Sequence, residues 1–122
     1  MDTPTQQQAY VAAQALLDAI DRRDALALGQ RFLISDAVLE ELYECLDDYF
    51  EAGTRLTLAP QALAFAERGG QRRFIELYEQ NDQAQALECV LFAEGVPSEA
   101  ALYLKLHEVD GQWQAQYQYI GH

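Results

Sequence analysis

Seven carboxylates fall within sixteen residues of this chain: Asp36, Glu40, Glu41, Glu44, Asp47, Asp48 and Glu51, with no basic residue among them. Such a cluster can hold a divalent cation or meet a basic protein surface, or it can be a solvated face. Calcium spacing and a glycine-containing ligand loop are missing, so no metal site is expected. Ser35 and Asp36 supply a helix start, and Val38, Leu39, Leu42, Leu46, Tyr49 and Phe50 recur at helical spacing. A helix from about Ala37 to Phe50 is predicted, with Gly53 placed as a left-handed stop. On it Glu40, Glu44, Asp47, Asp48 and Glu51 share one broad face. Like charges one turn apart, such as Glu40 with Glu44, cost about 0.2–0.5 kcal/mol each. Asp47, Asp48 and Glu51 stand at the C-terminal end, where the helix dipole disfavours each anion by about 0.3–1 kcal/mol. A locally costly arrangement suggests a use, and the expected use is docking a basic protein partner. The predicted partner-binding set is the seven carboxylates together with the aromatic Tyr43.

Enzymatic signals are sparse. Asp18, Asp21 and Asp24 are spaced by three, interleaved with Arg22 and Arg23, which predicts a salt-linked turn. A catalytic Asp there would need a pKa raised by burial. His107 and His122 are the two histidines, and neither has a partner at the spacing of a metal site or an activated nucleophile. Ser35 and Ser98 fall at caps or turns. No nucleophile elbow, phosphate-cradling glycine loop or Cys-x-x-Cys occurs. No catalytic residue, metal or cofactor is therefore assigned. Cys45 and Cys89 sit among apolar neighbours and are expected to be buried, reduced and structural. The formal net charge of −12 favours basic partners over nucleic acid or anionic membrane. The start of the chain lacks the features of a signal peptide and no apolar run approaches membrane-spanning length, so a cytoplasmic protein is expected.

The elements that position these groups follow from periodicity. Thr3, Pro4 and Gln6 spell a capping box ahead of Tyr10, Ala13, Leu17 and Ile20. Asp24 can cap a second helix from Ala25 to about Phe32. After Gly53 the period changes to two, with Leu56 and Leu58 on one side; residues 61–68 fit either a strand or a turn of helix. Segments 72–80 and 84–94 read as a hairpin around Asn81, Asp82 and Gln83, with Ile75 opposite Cys89, Leu77 opposite Leu87, and Glu76 opposite Glu88. Gly95-Val96-Pro97-Ser98 reads as a connection. Asp110-Gly111 is a favoured two-residue turn, because both positions need positive φ. It sets Leu106 opposite Ala115, Leu104 opposite Tyr117, and Leu102 opposite Tyr119 on a covered face that also carries Trp113. His107 with Gln114 and Lys105 with Gln116 occupy the wet face. The fold class is α+β: N-terminal helices, about 4–52, packed on one face of a curled, mainly antiparallel four- to five-stranded sheet, about 54–121, in a single domain.

This order, with the stretch Leu16-Leu17-Asp18-Ala19-Ile20-Asp21-Arg22-Arg23-Asp24-Ala25-Leu26, resembles the cystatin-like roll, the group of nuclear-transport-factor-like and SnoaL-like proteins. The resemblance implies a pocket between helices and sheet, walled by Trp113, Tyr117 and Tyr119 with Asp18 or Asp21 near its mouth. It also implies dimerisation through the open sheet face. Short acidic α+β chains of this outline are similar to bacterial immunity proteins as well, which implies inhibition of a toxin. Two functions are thus expected, in order: a non-enzymatic acidic binder, most specifically an immunity-type inhibitor, and a roll-fold small-molecule binder or enzyme.

Overall fold

The computed structural model describes residues 3–80 and 84–122. Its helices are α1 (Gln6–Asp21), α2 (Ala25–Gln30), α3 (Asp36–Tyr49) and the single turn α4 (Gln61–Ala64). Its strands are β1 (Leu56–Thr57), β2 (Ile75–Glu79), β3 (Gln85–Ala93), β4 (Val96–Val109) and β5 (Gln112–Gly121). This is the expected α+β arrangement, with the three longer helices preceding a curled antiparallel sheet.

Side-chain caps fix the starts of α1, α2 and α3. Thr5, not Thr3, caps α1: its Oγ1 accepts from the Gln8 amide at 3.0 Å while Gln8 Oε1 accepts from the Thr5 amide at 2.9 Å. Both threonines have a glutamine three residues on, so the sequence offers two overlapping boxes. Using the second leaves Pro4 outside the helix and buried, where its missing N–H is not required. Asp24 caps α2 through the Ala27 amide at 3.1 Å, and Ser35 caps α3 through the Val38 amide at 3.3 Å. Helix α2 stops at Gln30, short of the expected Phe32, and Leu33 then turns the chain with φ +57°.

The sheet order is β1-β3-β4-β5, with β2 also paired to β3. In the β2–β3 pair Ile75 faces Cys89, Leu77 faces Leu87 and Glu76 faces Glu88, as expected. The repulsion between the two glutamates is offset locally. Arg72 Nη1 pairs with Glu88 Oε1 at 2.8 Å, and the Tyr103 hydroxyl donates to the same oxygen at 2.6 Å. That bond, with burial, pushes the Tyr103 pKa up to about 12. Glu76 accepts from the Arg73 amide. The expected loop residues Asn81, Asp82 and Gln83 lie outside the described residues.

Two bulges change what the alternation predicts. The β3–β4 turn is Glu94-Gly95, both at positive φ, so Val96, Pro97 and Ser98 belong to β4 and are not a connection. The register then slips between Val90 and Phe92, and Ser98 Oγ fills the gap by donating to the Leu91 carbonyl at 2.7 Å. In the final hairpin Asp110 and Gly111 have φ +52° and +79°, and Leu106–Ala115, Leu104–Tyr117, Lys105–Gln116 and His107–Gln114 pair as predicted. Gln118 is then an extra residue. Tyr103 therefore faces Tyr119, and Leu102 faces Ile120 rather than Tyr119. The slip turns Tyr119 to the outer face, 54% exposed and stacked on Tyr103 with ring centroids 4.3 Å apart.

Leu16, Leu17 and Ile20 of α1 are fully buried against the sheet, with Leu42 and Leu46 of α3 beside them. Leu87, Cys89, Leu91, Leu102 and Leu104 supply the opposing layer. The Tyr10 hydroxyl reaches from α1 to the Ala59 carbonyl at 2.9 Å and holds the segment after β1 in place. No helix among the described residues is long and apolar enough to cross a membrane.

Candidate functional site

Helix α3 turns Leu42 and Leu46 into the core and its acids outward. Asp36, Glu40, Glu41, Glu44, Asp47, Asp48 and Glu51 are all exposed, and Tyr43 is half-buried. The arginines lie mostly elsewhere. Arg55 pairs with Asp21 at 3.4 Å, Arg72 with Glu88, and Arg73 with Glu67 at 3.1 Å. Arg23 pairs with Asp47, the one α3 carboxylate with an ion pair among the described residues. Asp36, Glu40, Glu41, Glu44 and Asp48 of α3, and Glu51 just beyond its end, are thus exposed with no ion pair among the described residues.

Arg23 is the component that sequence reasoning missed. It follows α1 with φ +49°, and its guanidinium lies 5.0 Å over the Tyr43 ring while it holds Asp47. This clasp ties the end of α1 to α3. The Tyr43 hydroxyl beneath it is buried with no hydrogen-bond partner among the described residues. Burial raises the Tyr43 pKa, with Asp24 adding to the shift and Arg23 opposing it. The doublet Arg22-Arg23 was visible in the sequence, but its partner sits on a different helix, which spacing alone does not reveal.

The second acidic set disperses into structural tasks. Asp21 Oδ1 accepts from the Leu56 amide at 2.7 Å and Oδ2 pairs with Arg55, so Asp21 anchors β1 on α1. Asp24 is the α2 cap, and Asp18 is exposed. Arg22 donates to the Asp18 backbone carbonyl at 3.2 Å, not to a carboxylate. The turn is therefore linked by backbone and by distant partners, not by the Asp–Arg pairs expected within it.

The five residues of the alternative pocket are not brought together. Trp113 borders a groove of about 460 Å³ with α1, Tyr117 one of about 610 Å³ by the α2–α3 elbow, and Asp21 a third of about 240 Å³. Tyr119 lies on the outer face. Between α1 and the sheet, Leu16, Leu17 and Ile20 fill the space where the pocket was expected. Burial pushes the Tyr117 pKa up to about 12.

Among the described residues no group of His, Cys, Asp and Glu is placed to hold a metal ion. His122 packs edge-on to Tyr49, whose hydroxyl lies 2.5 Å from Nδ1. Both cysteines are free thiols; Cys89 is buried, whereas Cys45 is only half-buried, with Sγ 3.4 Å from the Ile120 carbonyl. No known protein family matches the chain, and neither a curated protein nor a solved structure does.

Proposed function

We propose that this chain is a non-enzymatic acidic binding protein that presents α3 to a basic protein partner, in its most specific form an immunity-type inhibitor covering the basic site of a toxin. One observation carries the reading: five exposed carboxylates on α3, Asp36, Glu40, Glu41, Glu44 and Asp48, have no ion pair among the described residues, while Arg55, Arg72 and Arg73 are used at other sites. The charge of −12 would steer a cationic surface toward the molecule and speed encounter. Tyr43, half-buried on α3 with the Arg23 guanidinium over its ring, is the nearby aromatic anchor. The element order supports a cystatin-like roll as the scaffold, though such scaffolds host many activities.

The test is capture from the native host with identification of the bound protein. Wild-type protein should retain a basic partner at low salt, and the Glu40→Gln/Glu44→Gln/Asp48→Asn variant should lose it. Glu108→Gln, which removes an exposed carboxylate on β4, is the control and should retain it. Equal capture by the triple variant would remove α3 from the interface.

A further inference from the structure

The geometry points to a binding site for an aliphatic monocarboxylate in the grooves that share Arg31, with the guanidinium taking the carboxylate and the α2–α3 elbow and β4–β5 hairpin taking the chain. The grooves of about 610 and 460 Å³ both use Arg31 as a wall. Although 20 of the 122 residues are acidic, no Asp or Glu is among the described residues lining either groove. Among the described residues the two linings thus carry the Arg31 guanidinium and no carboxylate, which is complementary to an anion.

Arg31 is available for that role. Among the described residues its guanidinium has neither an ion pair nor a hydrogen bond, and lies 5.0 Å over the Phe32 ring. Arg23, Arg55, Arg72 and Arg73 are paired with carboxylates, and Arg22 and Arg68 donate to backbone carbonyls. A single guanidinium matches one planar carboxylate through two parallel hydrogen bonds. The surrounding charge disfavours a dianion more strongly than a monoanion, which selects carboxylate over phosphate.

The exposed lining of the larger groove is mostly apolar. Phe32, Ile34, Leu106 and Ala115 form its apolar walls, and Lys105, His107, Gln114 and Gln116 border it from the same hairpin. Leu33 stands at the rim, 82% exposed and left-handed at φ +57°. A bulky residue held in that conformation and offered to solvent is an outlier of the kind that gathers at ligand sites. The site shares none of the α3 carboxylates, so it stands or falls separately from the partner-binding reading.

Trp113, the sole tryptophan, borders the smaller groove beside Arg31 and serves as the reporter. The protein is titrated with decanoate and, separately, decanol, both below their aggregation limits, following Trp113 emission and the thermal midpoint. Decanoate should give saturable changes in both, and decanol should bind about ten-fold more weakly, since it lacks the charge-assisted pair. Arg31→Gln should bring decanoate down to the level of decanol; the side chain is exposed and has no ion pair among the described residues, so the fold is retained. Val38→Glu, which places a carboxylate at the rim, should abolish decanoate binding. Absence of saturation, equal binding of the alcohol, or an unaffected Arg31→Gln would each overturn the assignment.

Discussion

Arg23 shows how one residue can hold opposing terms. A left-handed backbone costs a residue with a Cβ about 1–2 kcal/mol. The exposed pair with Asp47 returns about 0.2–1 kcal/mol and the contact with Tyr43 about 0.5–1 kcal/mol. Arg23→Ala removes the contacts and keeps the strain, so it should destabilise by about 1 kcal/mol. Arg23→Gly removes both and should be close to neutral. Urea titrations of the two variants check the order, and a glycine variant less stable than the alanine one contradicts the strain argument. Cys45 offers a second test. Burial raises its thiol pKa, and Asp48 and Glu41 raise it further. The thiol form is therefore favoured in the native state, and that stabilising contribution is fully present below the unfolded pKa and lost as pH rises through the folded one. At pH 8 the native thiol should react with a disulfide reagent more slowly than glutathione does, with urea restoring an ordinary rate. A fast native reaction would place Cys45 in a different environment.

At the scale of elements, α3 and the final hairpin carry complementary predictions. Asp48 is exposed one turn from Glu44 and next to the helix end, so Asp48→Asn should stabilise the isolated protein by about 0.3–1 kcal/mol. The same change should weaken capture of the basic partner, the opposite sign from a purely structural role. A destabilised Asp48→Asn would mean that an undetected partner holds the carboxylate. In the hairpin, Trp113 is half-buried rather than enclosed, so Trp113→Ala should cost about 2–3 kcal/mol, below the range for a fully buried indole. Gln114→Ala should stay within about 0.5 kcal/mol. Equal losses would mean that the two faces are exchanged. The hairpin register was legible because Asp110-Gly111 dictates it locally, and the α3 face was legible because periodicity sorts Leu42 and Leu46 from the acids. The bulge at Gln118 was not legible. Its position is decided by which residues β4 and the helices require of β5, namely a buried Ile120 in place of Tyr119. The Thr3 and Thr5 boxes could not be separated for a similar reason, since both satisfy the local rule and only packing chooses.

For the whole molecule, the same charge should act with opposite signs on stability and on binding. Unpaired carboxylates on α3 repel one another and the remainder of a chain carrying −12. Self-repulsion of this kind weakens the compact state and is screened by salt, whose Debye length falls from about 30 Å at 0.01 M to about 10 Å at 0.1 M. Raising ionic strength over that range should therefore raise the thermal midpoint of the free protein. Association with a basic partner depends on attraction over comparable distances, so the same increase should slow its on-rate. The Glu40→Gln/Glu44→Gln/Asp48→Asn variant should show both responses reduced, because one set of charges is responsible for each. The site on Arg31 provides an internal contrast: decanoate affinity there depends on a local guanidinium and apolar walls, and should survive the triple variant. Thermal scans and stopped-flow association at matched salt concentrations measure the two slopes. If the free protein loses stability as salt rises, its charges are predominantly attractive in the native state, and the view of α3 as a face kept acidic against its own folding energy does not hold.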